Sequence, residues 1–160
     1  MKLADRNIFK DLSLNLIDFG LATKWRDANT GKHLKMVKLD YFEGNLYFSS
    51  VNQLLVRSTS RRDDLISLFY LLAYLLNHGN MPCMKDAFKL ADSVDIRTKF
   101  NAVLQAKKTV KLIDMCVERT VPLREFARHV QSLDFESEPN YVKLRSILQA
   151  NLNEAYTDTK

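Results

Sequence analysis

The clearest pattern in the chain is the run Leu65–Leu76, in which Ser67 alone interrupts the apolar side chains. Ser60-Arg61-Arg62-Asp63 precedes it, an acid three residues after a serine, which is the arrangement of a helix capping box. Asn77-His78-Gly79 follows as a C-terminal stop. The pattern predicts a helix that is apolar on nearly every face. Such a helix must be surrounded by protein, so it is expected to be the central post of the fold, with Leu68, Leu72 and Leu75 all enclosed. Downstream the pattern turns amphipathic. After Pro122, the residues Leu123, Phe126, Ala127 and Val130 fall at helical spacing. Pro139 opens a last helix with Tyr141, Leu144 and Leu148 on one face, and further helices are expected over Ile96–Gln105 and Val110–Val117.

The N-terminal part reads differently. Leu12 to Ile17 alternate apolar and polar and then meet Asp18-Phe19-Gly20, the pattern of a short strand ending in a turn. From Leu21 to about Thr59 periodicity is poor, with Gly31 and Gly44 marking a long irregular segment of the kind that usually carries function. No repeat or linker divides residues 1–160. The expected fold is mainly α: a helical bundle around one buried central helix, with a short β element at the N-terminus.

Composition agrees. Four glycines and three prolines in 160 residues are far too few turn formers for a many-stranded sandwich or barrel. Hydrophobic residues at 46% supply a core. A net charge of +5 permits an anionic partner without selecting one, and is weak for a nucleic-acid footprint. Cys83 and Cys116 have no metal-ligand spacing and read as two reduced, buried thiols of an intracellular protein. No secretory signal opens the chain, and the longest apolar run is shorter than the roughly 20 residues needed to cross a bilayer, so a cytoplasmic or nuclear protein with no membrane contact is expected.

The candidate chemistry lies at Asp18-Phe19-Gly20. Its position after a strand, before a long loop and about 40 residues ahead of a capped buried helix is the layout of a protein kinase's magnesium-binding turn and activation segment. In that role the Asp carboxylate meets Mg²⁺ on the ATP phosphates, the Phe packs into the core and the Gly lets the backbone swing.

The flanks make the resemblance specific. Leu16-Ile17-Asp18-Phe19-Gly20-Leu21-Ala22-Thr23-Lys24-Trp25-Arg26-Asp27 resembles the corresponding segment of the casein kinase I family. Gly44 to Asn52 resembles that family's Gly-Thr-Ala-Arg-Tyr-Ala-Ser-Ile-Asn, and Ser60-Arg61-Arg62-Asp63-Asp64-Leu65 matches its signature without a change. Phe126-Ala127, Leu133-Asp134-Phe135-Glu136, Pro139-Asn140-Tyr141 and Leu144-Arg145 follow its closing pattern.

The resemblance implies the C-terminal lobe of a Ser/Thr kinase, a partial kinase domain over residues 1–160 that begins just before the Asp-Phe-Gly turn. ATP and Mg²⁺ would be its cofactors and protein substrates its partners. Asp18, Phe19 and Gly20 would form the cofactor-binding turn, with Asp18 on the metal and Asn7, or else Asp5, standing where the family's second metal ligand belongs. Asp64 and Arg62 would brace the site from behind. The family's N-terminal lobe and catalytic loop find no counterpart in the chain, so it is expected to be inactive alone. Asn45 and Tyr47 stand where the family has an activation-loop Thr and an anion-binding Arg.

The basic run Lys24, Arg26, Lys32, Lys35 and Lys38 reads as a solvated loop or as a docking patch for acidic or phosphorylated peptides. The patch would suit a non-catalytic, pseudokinase-like interaction module, the alternative reading. Core packing, rather than nucleic-acid stacking, is the expectation for Tyr41, Phe42, Tyr47 and Phe48.

Overall fold

Among the described residues, helices begin late. In the computed structural model, which describes residues 15–82, 84–88 and 94–157, residues 15–50 hold no helix; one isolated antiparallel bridge joins Arg26 with His33 inside this segment, and another ties Lys38 to Arg57 beyond it. The expected strand is not formed over residues 15–17, and residues 12–14 lie outside the described residues. Its side chains have nothing to pack on: Leu16 and Ile17 are 83% and 78% exposed. A strand without a neighbour has no ladder of hydrogen bonds to hold it extended.

The rest is mainly α. After the short α1 (Val51–Leu54) comes α2 (Arg61–Leu76), then α3 (Lys85–Phe88), α4 (Ile96–Thr109), 3₁₀ turns at Leu112–Met115 and Glu118–Leu123, α5 (Arg124–Gln131) and α6 (Tyr141–Thr157). No helix of the described residues is long and apolar enough to cross a membrane.

α2 begins as its sequence predicts. Asp63 reaches back so that Oδ2 accepts from the Ser60 N–H at 3.0 Å and from Ser60 Oγ at 3.4 Å, while the acids of the first turn meet the positive end of the helix dipole. It ends at Gly79, whose N–H donates to Tyr74 O at 2.9 Å with φ at +78°, a conformation only glycine takes without strain.

Its burial differs from the expectation. Leu65, Phe69, Tyr70 and Ala73 are buried against Met81, Met115, Leu123, Phe126 and Val130. Leu68, Leu71 and Leu75, however, are 37%, 39% and 60% exposed, and Leu72 is half-buried. Leu68, Leu72 and Leu75 fall at i, i+4 and i+7, so they share one side of the helix. That side is covered only in part: Leu72 packs against the core, while Leu68 and Leu75 stay exposed. Leu75→Ala is therefore expected to lower stability by less than about 1 kcal/mol, against the roughly 2–5 kcal/mol typical of an enclosed leucine. Urea melts check this, and a loss above 2 kcal/mol would mean that the side is covered.

α5 follows its pattern: Phe126, Ala127 and Val130 are buried, as is Leu123 just before it. Pro122 lies in the preceding 3₁₀ turn and not in the first turn of α5. α4 runs four residues beyond Gln105. The segment 110–117 then forms only a 3₁₀ turn, because the Asp114 carboxylate accepts from the Lys111 N–H at 3.3 Å and closes a short loop. In α6, Leu144 is buried and Leu148 half-buried, while Tyr141 faces outward. Cys116 is buried, its Sγ directed to Leu112 O at 3.5 Å, and burial pushes its thiol up to about 11. Cys83 lies outside the described residues.

The irregular segment is pinned at several points. Asn45 Oδ1 accepts from the Tyr47 and Phe48 N–H groups at 2.8 and 3.3 Å, forming an Asx-type turn before α1. Gly44 has φ +130°, and a Cβ there would lie 2.5 Å from Gln53 Nε2, the group that donates to Glu43 O. Phe48 packs edge-on to Tyr74 and Phe42 to Phe100, whereas Tyr41 is exposed rather than in the core.

Candidate functional site

Asp18 sits in the left-handed region at φ +61°, which an aspartate tolerates because its carboxylate bonds locally. Oδ1 accepts the Gly20 N–H at 3.2 Å. The turn is at the surface, and Phe19 is 65% exposed, so its expected packing into the core is not found. No element of the described residues stands opposite the ring. Asn7 lies outside the described residues. Among the described residues no group of three or more His, Cys, Asp or Glu side chains could hold a metal ion. Among the described residues the turn offers the one exposed carboxylate of Asp18, whereas a Mg²⁺·ATP site needs several converging oxygens.

The buried polar centre lies at Asp63 instead. Its Oδ1 accepts from Ser50 Oγ at 2.7 Å and from Asn52 Nδ2 at 3.1 Å, and its Oδ2 serves Ser60. One carboxylate thus joins the end of the irregular segment to the start of α2. Ser50 Oγ also accepts the Gln53 N–H at 3.2 Å, capping α1. Asp64 faces outward; its N–H donates to Ser60 O at 3.3 Å, but no hydrogen bond reaches its carboxylate from the described residues. Partial desolvation raises its carboxyl above the usual range, and the neighbouring Asp63 charge adds to this.

The two arginines of the signature tie distant segments together. Arg62 Nη1 donates to Leu133 O at 3.3 Å, with its guanidinium 5.7 Å from the Phe135 ring centre. Arg61 lies 3.9 Å over Trp25 and donates to the Glu136 and Ser137 carbonyls at 3.5 and 3.4 Å. His33 packs between Trp25 and Phe135, at centroid distances of 5.6 and 5.0 Å.

Lys24, Arg26, Lys32, Lys35 and Lys38 are all exposed. Asp27 organises the turn that carries the first of them by accepting from the Asn29 and Thr30 N–H groups, and these hydrogen bonds hold its carboxyl below the usual range. Residues 24–31 line an open concavity of about 640 Å³. Arg26 lies over the Trp25 ring at 5.2 Å and so is partly held; the lysines project from the loop.

The sequence reading missed Lys107. Its ammonium is buried and donates to Leu46 O, Tyr47 O and Ser49 O at 3.3, 2.8 and 2.7 Å, 4.1 Å from the Tyr70 ring centre. Burial pushes it down to about 7, against which the three carbonyls and the ring face favour the proton. The signal was present: Lys107 is four residues after the buried Val103, on the inward face of α4. Burial by tertiary neighbours, not the residue type, makes it a tether.

Comparison with known proteins agrees with this organisation. No family model matches the chain. Casein kinase 1-like protein HD16 of Oryza sativa subsp. japonica is 34% identical over 135 residues, which are 84% of this chain and 18% of that protein. A protein named Probable casein kinase I homolog, from Encephalitozoon cuniculi, is 33% identical over 83% of this chain and 40% of its own length. Casein kinase I homolog 2 of Schizosaccharomyces pombe is 29% identical over 85% of this chain and 31% of its own length. The chain thus spans well under half of each of these relatives. Over the region it shares with them, the chain is similar to these casein kinase I proteins.

Proposed function

We propose that this chain is the C-terminal lobe of a casein-kinase-I-like Ser/Thr protein kinase domain, and that alone it does not transfer phosphate. The observation that carries the first part is the Ser60–Leu65 signature placed at the start of the central helix, with Asp63 tying the activation-type segment to it. The whole domain's activity would be ATP- and Mg²⁺-dependent phosphorylation of protein Ser or Thr inside the cell. The exposed leucines of α2 are then the side on which the remainder of such a domain would pack.

Inactivity of the isolated chain follows from the exposed single carboxylate of Asp18, and from a sequence that holds neither a His-Arg-Asp catalytic loop nor a Gly-rich phosphate cover. Purified chain is expected to give no Mg²⁺·ATP-dependent phosphorylation of casein above a no-enzyme blank. Activity abolished by Asp18→Ala would overturn this.

The exposed lysines favour a second reading, a non-catalytic module for acidic or phosphorylated peptides. Neutralising Lys24, Lys32, Lys35 and Lys38 together is expected to weaken phosphopeptide retention at least tenfold and to make the remainder insensitive to salt. Equal retention by both proteins in a pull-down would dismiss the patch.

A further inference from the structure

A cavity of about 200 Å³ lies where α2, the end of α4 and the end of α5 meet, and the proposed function leaves it unused. Its body is apolar, with Ile66, Val110 and Leu133 beside the buried Tyr70, Leu112 and Val130. Its charge is one-sided. Arg62, Lys107 and Lys111 line it together with the amides of Asn52 and Gln131, and no acid lines it.

The neighbouring carboxylates are already engaged. Asp63 Oδ2 is 3.7 Å from Arg62 Nε and accepts from Ser60, while Asp114 accepts from the Lys111 backbone. Lys107 spends its three donors on carbonyls and contributes charge only. Arg62 has a donor to spare at its outer end: Nε is sealed beside Asp63 and Nη1 binds Leu133 O, while Nη2 carries no hydrogen bond from the described residues. A guanidinium with unused N–H groups beside an apolar recess favours a planar anion with an apolar body.

The geometry points to a binding site for a small organic carboxylate, its ring or short chain among Ile66, Val110 and Val130 and its carboxylate toward Arg62. The volume lies below the roughly 300–1,000 Å³ of drug-sized sites, which limits the ligand to about one ring. Phosphate alone would satisfy the charge and leave the apolar walls unfilled.

Titrating the ¹⁵N-labelled full chain with sodium benzoate tests this. The expected result is saturable shifts of the Arg62, Val110, Val130 and Leu133 amides, with benzamide and inorganic phosphate each binding at least tenfold more weakly. Arg62→Met should weaken benzoate about tenfold and bring it level with benzamide. Val110→Phe keeps every charge and fills the recess, so it should abolish the saturable shifts while leaving the rest of the spectrum in place. Equal binding of benzoate and benzamide would overturn the site. So would shifts confined to residues 24–38, binding unaltered by Val110→Phe, or no saturation by about 50 mM, the range in which weak single-ring ligands bind.

Discussion

Asp63→Ala is expected to lower stability by about 3–5 kcal/mol, enough to unfold a domain of ordinary marginal stability. The carboxylate is buried and accepts from Ser50 Oγ, Asn52 Nδ2 and the Ser60 N–H, so its removal strands three donors that water cannot reach freely. It also uncaps α2 and releases the end of the irregular segment. Asp63→Asn keeps the volume but presents an NH₂ to groups that already donate, and should recover little of the loss. Asp64→Ala, one position along and outward-facing, should cost less than about 1.5 kcal/mol. Urea melts of the three variants separate the cases. Equal losses at Asp63 and Asp64 would mean that α2 is braced through its outward side.

The second large effect is in the pH dependence of stability. The Lys107 ammonium is pushed down to about 7 by burial, from an ordinary value of 10.5. Between those values the unfolded chain keeps a proton that the folded protein gives up, so stability rises with pH, by at most about 1.4 kcal/mol per pH unit. The rise should begin near pH 7 and flatten near pH 9. There the Cys116 thiol, raised from 9.0 to about 11, acts in the opposite sense, because the unfolded chain now loses the proton first. The phenol of Tyr70, also pushed up by burial, extends that decline at still higher pH. Lys107→Met is expected to be flat between pH 7 and 9. It should also loosen residues 46–49, whose carbonyls lose their shared donor. Melts at half-unit pH intervals read this directly; a wild-type profile as flat as the variant's would place the Lys107 proton outside the window.

The helices after residue 60 were legible because their signals are local. A capping box, a glycine stop and apolar residues at helical spacing act within a few turns, and α2, α5 and most of α4 appear where those signals place them. The family was legible for a similar reason, since Ser60–Leu65 and the closing pattern are contiguous stretches. The missed features depend on partners distant in sequence. Whether Leu75 is enclosed, whether Phe19 enters a core and whether residues 15–17 pair as a strand all turn on what stands opposite, which no local pattern encodes. The polar centre divides the same way. An acid at position 63 was read as a cap from its spacing, but only the tertiary structure brings Ser50 and Asn52 onto the same carboxylate. Lys107 shows the limit most plainly. Its residue type favours solvent, and the packing of residues 46–49 against α4 buries it and supplies three carbonyls for one charge, a balance of desolvation and hydrogen bonding that exists only once the chain is folded.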